Sequence, residues 1–182
     1  MQFNMQPQHS SQHSEPLTFE KVWLMFQDTD KKFQDTDKKI KDLANLFTGQ
    51  WGKLIESLVE GDLIKLLNAR GVAVTRTAMR ELLHYGKIDS EIDIIAKNTN
   101  EVVAVEVKTT LKSEDVRDFL EVMAVFKKAF PEYQKMKIYG AVAFLRSESE
   151  AHKFAERMGL FVIKATGNSA SLVNAPKFKP KT

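Results

Sequence analysis

The sequence predicts an α/β domain with a mixed central sheet flanked by helices, preceded by a long heptad-patterned helix. Three observations carry this expectation. A seven-residue unit is repeated in tandem within a charged helical stretch, three strand-like segments follow in succession, and the remaining helical segments alternate with strands. Three consecutive strands suit an antiparallel meander, while each later helix can serve as a crossover that makes the next pairing parallel. A chain of 182 residues with 43% hydrophobic content has room for one such core and an appendage.

Taken in order, residues 1–16 are rich in Gln, Ser and His, with two prolines, and this composition cannot bury enough apolar surface to offset its ordering entropy. A disordered polar arm is expected there, in which His9 and His13 read as solvated side chains rather than metal ligands. Residues 17–48 read as a coiled-coil helix. The segment FQDTDKK runs from Phe26 to Lys32 and again from Phe33 to Lys39. Phe19, Phe26, Phe33, Ile40 and Phe47 therefore fall on one line, with Val22, Thr29, Thr36 and Leu43 on its companion, the a and d positions of a heptad. Threonine at two d positions weakens that seam, so the helix either self-associates, making the protein a homo-oligomer, or lies against its own domain.

Residues 49–173 are expected to form the globular domain. Gly49 and Gly52 separate the first helix from a second over Lys53–Ala69, with Gly71 as its stop. Strands follow near 72–83, 91–97 and 101–108. A helix from Ser113 to Phe130 opens on Glu114 and Asp115 at the positive end of its dipole and stops at Pro131. Next come a strand from Lys137 to Phe144, a helix announced by Ser147 and Glu150 at capping-box spacing, and a strand from Leu160 to Lys164. The order is αβββαβαβ. The basic, Pro-containing tail of 174–182 is expected to be loose.

Composition removes several chemistries. The absence of cysteine excludes disulfides, thiol nucleophiles and Cys-ligated zinc or iron–sulfur centres, and a net charge of +3 is too small to identify a nucleic-acid partner. The nucleotide, zinc-protease and esterase signatures GxxxxGK[ST], GxGxxG, HExxH and GxSxG do not occur. The N-terminus lacks the basic start and apolar stretch of a signal peptide, and no apolar run approaches the ~18 residues of a membrane span, so a cytoplasmic location is expected.

The chemistry concentrates in EIDIIAKNTNEVVAVEVKTT, residues Glu91 to Thr110, two apolar strands joined by a short polar loop. Alternation puts Glu91, Asp93 and Ile95 on one face of the first strand and Ala104, Glu106 and Lys108 on one face of the second. A loop with an even number of residues sets Asp93 opposite Glu106; an odd loop splits the pair across faces. Opposed carboxylates in a Val, Ile and Ala hairpin repel each other and invite a hard divalent cation, with Mg²⁺ (or Mn²⁺) better suited to oxygen ligands than zinc. Lys108 adds a cation for a phosphate oxygen or an attacking water. Taken alone, an E-x-K on a strand reads as a surface ion pair; the combination is what points to a site. Arg76 and Arg80 suit an exposed polar face as well as phosphate contact, and His84 and Tyr85 read as turn residues.

These motifs resemble the PD-(D/E)XK phosphodiesterase superfamily, the restriction-endonuclease-like fold that includes Holliday-junction resolvases. EIDIIA and VVAVEVK are similar to its motif pair, within an αβββαβ core. The resemblance implies that Asp93 and Glu106 bind metal, that Lys108 is catalytic, and that the backbone carbonyl of Val107 is a further ligand. It also implies a carboxylate from the first helix, Glu60, with Glu56 one turn earlier as a substitute. Ile92 stands where the family name has Pro. The implied activity is metal-dependent hydrolysis of nucleic-acid phosphodiesters, with DNA ahead of RNA. The competing expectation is a catalytically silent relative that serves assembly or nucleic-acid binding through its helix.

Overall fold

The structure, a computed structural model, describes residues 19–182; the expected polar arm of 1–16, His9 and His13 included, lies outside them. The chain divides into two compact units with the boundary between Asn45 and Leu46. Helix α1, Phe19–Asn68, runs through Gly49 and Gly52, where two helices were expected. Each glycine costs a helix interior about 1 kcal/mol relative to alanine. Neither takes a positive φ, so both accept helical geometry. The stop at Gly71 is where the sequence puts it: Gly71 has φ 81°, its N–H donates to the Asn68 carbonyl, and the Val72 N–H donates to the Leu67 carbonyl. These two bonds form a Schellman closure, sealed by burial of Leu67 and Val72.

The second unit is an α/β domain around a six-stranded mixed sheet in the order β1-β2-β3-β4-β5-β6. Its elements are β1 (Arg76–Tyr85), β2 (Ile88–Lys97), β3 (Glu101–Leu111), α2 (Ser113–Ala129), a 3-10 turn at Pro131–Tyr133, β4 (Lys137–Ser147), α3 (Ala151–Arg157), β5 (Phe161–Thr166) and β6 (Ser169–Leu172). The first three strands form the expected antiparallel meander, and β3–β4 and β4–β5 are the expected parallel pairs across α2 and α3. β6 was not expected; it is short and half polar, and it pairs antiparallel with β5 through a tight turn.

Both faces of the sheet are covered. Ile55, Val59, Leu63 and Leu67 of α1 pack with Ile94, Ala96, Val103, Val105 and Val107 on one face. Val116, Phe119, Val122 and Phe126 of α2 pack with Ile95, Val102 and Ala104 on the other. This explains why the strands read as nearly continuous apolar runs.

Two local expectations are corrected. Ser147 ends β4 rather than standing as the N-cap residue of a capping box, although its hydroxyl accepts the His152 N–H in the first turn of α3 at 3.2 Å; the residue before the helix is Glu150, in a left-handed conformation. The tail is not loose. Asn174 is buried, with its side chain accepting from Val162 N–H and donating to the Leu160 carbonyl, and Phe178 packs edge-on against Phe161. Among the described residues no helix is long and apolar enough to cross a membrane.

Candidate active site at the β2–β3 fork

The hairpin that carries the site is set by its loop. The Asn98 side-chain oxygen accepts the N–H groups of Asn100 and Glu101, both at 2.7 Å, and the Asn98 N–H donates to the Glu101 carbonyl at 3.0 Å. An Asx-type turn thus closes a loop of four residues between the paired positions Lys97 and Val102. The count is even, so the ladder continues through Ile94↔Val105 toward Asp93 and Glu106, the register that brings the two acids together.

Past Ile94 the β2–β3 ladder stops, while β3 goes on pairing with β4 to Leu111. The sheet therefore forks at Asp93. The Val107 N–H, left without a strand partner on that side, donates to the Asp93 carboxylate at 2.6 Å. Because the N–H and C=O of a strand residue lie along the same edge, the Val107 carbonyl opens into the same fork.

The fork has a cause in β1. Arg80 has φ 59°, a left-handed backbone that costs a non-glycine residue roughly 1–2 kcal/mol. The β1–β2 register passes from Met79↔Ile94 to Glu81↔Ile92, skipping Arg80 and Asp93. Alternation slips at the same place: Ile94 faces α1, but both Ile92 and Ile95 face α2. Asp93 hence departs from the simple one-face pattern read from spacing and turns toward Val107.

Glu106 and Lys108 follow Ala104 on the face toward α2 and form an ion pair at 2.6 Å, with side chains 17% and 37% exposed. They line a small cleft of about 70 Å³ together with Ser90, Asp115 and Asp118. Burial, then Glu106 and Glu56, push the Asp93 carboxyl up to about 7 against the pull of the Val107 N–H and Lys108. Glu106 is also raised, first by burial and further by Asp115 and Glu56, with Lys108 acting against them. Burial lowers the Lys108 ammonium, but Glu106, Asp93 and Asp115 more than reverse this and hold it above its ordinary value.

Asp93, Glu106 and Lys108 are thus brought together. Of the helix carboxylates, it is Glu56 whose charge acts on Asp93 and Glu106. Glu60, the preferred residue from sequence, accepts the Thr77 hydroxyl at 2.7 Å one turn further along. Glu56 is only 8% exposed and is held by Arg80 at 2.9 and 3.2 Å; the same guanidinium reaches Glu91 at 3.4 Å. Arg80, Asp115 and Asp118 are the members that spacing alone did not select. The signal available for Arg80 was a basic residue on a strand next to one bearing Glu91 and Asp93. Arg76 starts β1, and His84 pairs with Asp89 across the exposed β1–β2 turn.

Among the described residues, no three His, Cys, Asp or Glu side chains are grouped as a ready-made metal cage. The donors at the fork are hard oxygens: the Asp93 oxygen not bonded to Val107, the Glu106 oxygen not held by Lys108, and the Val107 carbonyl. Two crowded, half-desolvated carboxyls that resist ionisation fit a divalent ion that keeps several waters.

A family described as "Domain of unknown function (DUF8196)" matches residues 64–172. No curated protein matches. Among solved structures, the chain is similar to one in "Structure of EndoMS-dsDNA2 complex" at 15% identity and a TM-score of 0.34, covering 57% of this chain and 42% of that one. It is also similar to "Crystal Structure of Protein of Unknown Function AF1548" at 19% identity and a TM-score of 0.32, covering 55% of this chain and 53% of that one. The chain spans about half the length, or less, of either.

Proposed function

We propose that this chain, which belongs to the DUF8196 family, hydrolyses nucleic-acid phosphodiester bonds, most readily those of DNA, with Mg²⁺ or Mn²⁺ held at the β2–β3 fork. One observation carries the reading: Asp93, Glu106 and Lys108 converge where the sheet opens, with Asp93 fixed by the Val107 N–H at 2.6 Å and Lys108 lying 2.6 Å from Glu106. This is the set that the PD-(D/E)XK resemblance names.

When bound, a divalent ion would lower the pKa of a water and offset the charge that develops on the phosphate. Asp93 and Glu106 would supply its carboxylate ligands and Val107 its backbone oxygen. Lys108, which lies 2.6 Å from Glu106, would donate to a phosphate oxygen or orient the attacking water. Arg80, paired with Glu56, would offset that glutamate's negative charge behind the fork.

A second reading has its own support. Lys108 is closely paired with Glu106, and the described acids form no ready cage, as in a catalytically silent relative that acts by nucleic-acid binding or by assembly through its N-terminal helix. Incubation with single-stranded, duplex and branched DNA and with RNA, in Mg²⁺, in Mn²⁺ and in EDTA, separates the two. The nuclease reading expects metal-dependent cleavage that falls on the order of 10²-fold or more in Asp93→Ala and Lys108→Ala with unchanged circular dichroism. Calorimetric titration of Mg²⁺ into wild type and Asp93→Ala tests the site without any substrate. Absence of both cleavage and Asp93-dependent binding would leave the silent reading.

A further inference from the structure

The helix of the first unit presents an apolar line to solvent. Phe26 and Phe33 are 67% and 68% exposed, and Ile40 and Leu43 are exposed alongside them. Contiguous apolar surface of this kind marks a partner site. The line is a heptad seam, with Phe26, Phe33 and Ile40 at a and Val22, Thr29, Thr36 and Leu43 at d, over three heptads.

The two threonines, which weaken the seam on paper, are accommodated by the helix itself. The Thr29 hydroxyl donates to the Met25 carbonyl at 2.7 Å, and that of Thr36 to the Lys32 carbonyl at 2.8 Å. Both hydroxyls are satisfied within the helix, so each threonine can offer a methyl group to a partner with no unmet polar group to bury.

The charges beside the seam identify that partner. Asp30 and Asp37 occupy the e positions, and Lys32 and Lys39 the g positions. In a parallel, in-register pair, each g side chain faces the e side chain of the next heptad on the other helix, so Lys32 of one copy meets Asp37 of the other, twice by symmetry. In an antiparallel pair, g faces g and e faces e, which sets lysine against lysine and aspartate against aspartate. We infer that residues 22–43 pair with a second copy of this chain as a parallel, in-register coiled coil. Both copies then leave the pair at the same end, Leu43 beside Leu43. The inference is independent of any nuclease activity.

The absence of cysteine makes the full chain suited to a direct test. Val22→Cys and Leu43→Cys, each oxidised alone, are expected to give disulfide-linked dimers, and a mixture of the two to give no crosslink between positions 22 and 43. Sedimentation of the wild type is expected to show a dimer. Lys32→Glu replaces both attractive contacts with repulsive ones and should weaken dimerisation on the order of tenfold, whereas the double reversal Lys32→Glu/Asp37→Lys should restore it. Circular dichroism of each variant establishes that the helix persists. A monomeric wild type, 22-to-43 crosslinks, or failure of the double reversal to rescue an intact helix would overturn the parallel pairing.

Discussion

Arg80 stands across from Asp93 at the step where the β1–β2 ladder is interrupted, and its left-handed backbone and the slipped alternation of β2 occur together there. The arrangement does two things. It releases Asp93 from strand pairing so that its carboxylate can hold the Val107 N–H, and it delivers a guanidinium to buried Glu56. Backbone strain placed at the centre of a cluster of acids fits the general concentration of strain at sites that do chemistry.

Substitution at Arg80 can separate strain from charge. Arg80→Gly and Arg80→Ala both strip Glu56 of its cation, so both should unfold at lower urea concentration than the wild type. Only glycine accepts φ 59° without penalty, so Arg80→Gly should be the more stable of the two by about 1 kcal/mol. Equal midpoints in urea titrations would mean that the left-handed conformation costs nothing there.

The raised Asp93 pKa sets a pH dependence whose sign is opposite to that of an ordinary ion-paired carboxylate. In the ion-free protein the group titrates at about 7, against an ordinary value of 3.8. Between those values the folded state binds more protons than the unfolded one, so this group's contribution to stability is present at the acid end and is lost as pH rises through the window. Thermal melts in EDTA from about pH 5 to pH 8 should show that decline, and Asp93→Asn should flatten it. The proposed Mg²⁺ site needs the ionised form, so on that proposal any rise in Tm with Mg²⁺ should be larger at the upper end of the range.

The two helix glutamates should behave differently. Glu56→Gln removes a charge that acts on both Asp93 and Glu106, so it should move the pH profile of the proposed metal binding to lower pH; calorimetry across pH reads this. Glu60→Gln keeps an oxygen acceptor for the Thr77 hydroxyl and should leave that profile in place. A shift in Glu60→Gln alone would restore the assignment that the resemblance suggests.

A last prediction concerns packing beneath the parallel strands. A Cβ on Gly140 in β4 would lie 2.5 Å from Leu160 Cδ2 and 3.2 Å from Phe119 Cε1, both buried side chains. Gly140→Ala should therefore destabilise the domain by about 1–3 kcal/mol in urea unfolding, the range for forced overpacking.

Much of the fold is legible in the amino-acid sequence, for reasons that can be traced to particular residues. The sequence reduced the approach of Asp93 to Glu106 to the parity of one short polar loop and left that parity open; in the fold the loop is the four residues Asn98–Glu101, the even case. The mixed sheet followed from the order of elements. What could not be read depended on tertiary partners. Glu56 and Glu60 are one turn apart on the same helix, and the choice between them rests on where a left-handed Arg80 sends its guanidinium, for which no local propensity exists. Gly49 and Gly52 looked like helix breakers because propensity counts their cost without the residues on either side. The tail looked loose because Asn174 and Phe178 show their value only against Leu160, Val162 and Phe161.

The bond from the Val107 N–H to Asp93 also supplies a spectroscopic handle. An amide that donates to a carboxylate shifts its proton resonance when that carboxylate gains or loses charge. A single backbone peak, followed by nitrogen–proton correlation spectroscopy, would therefore report the state of the fork under any buffer, ion or oligonucleotide, without a label at the site.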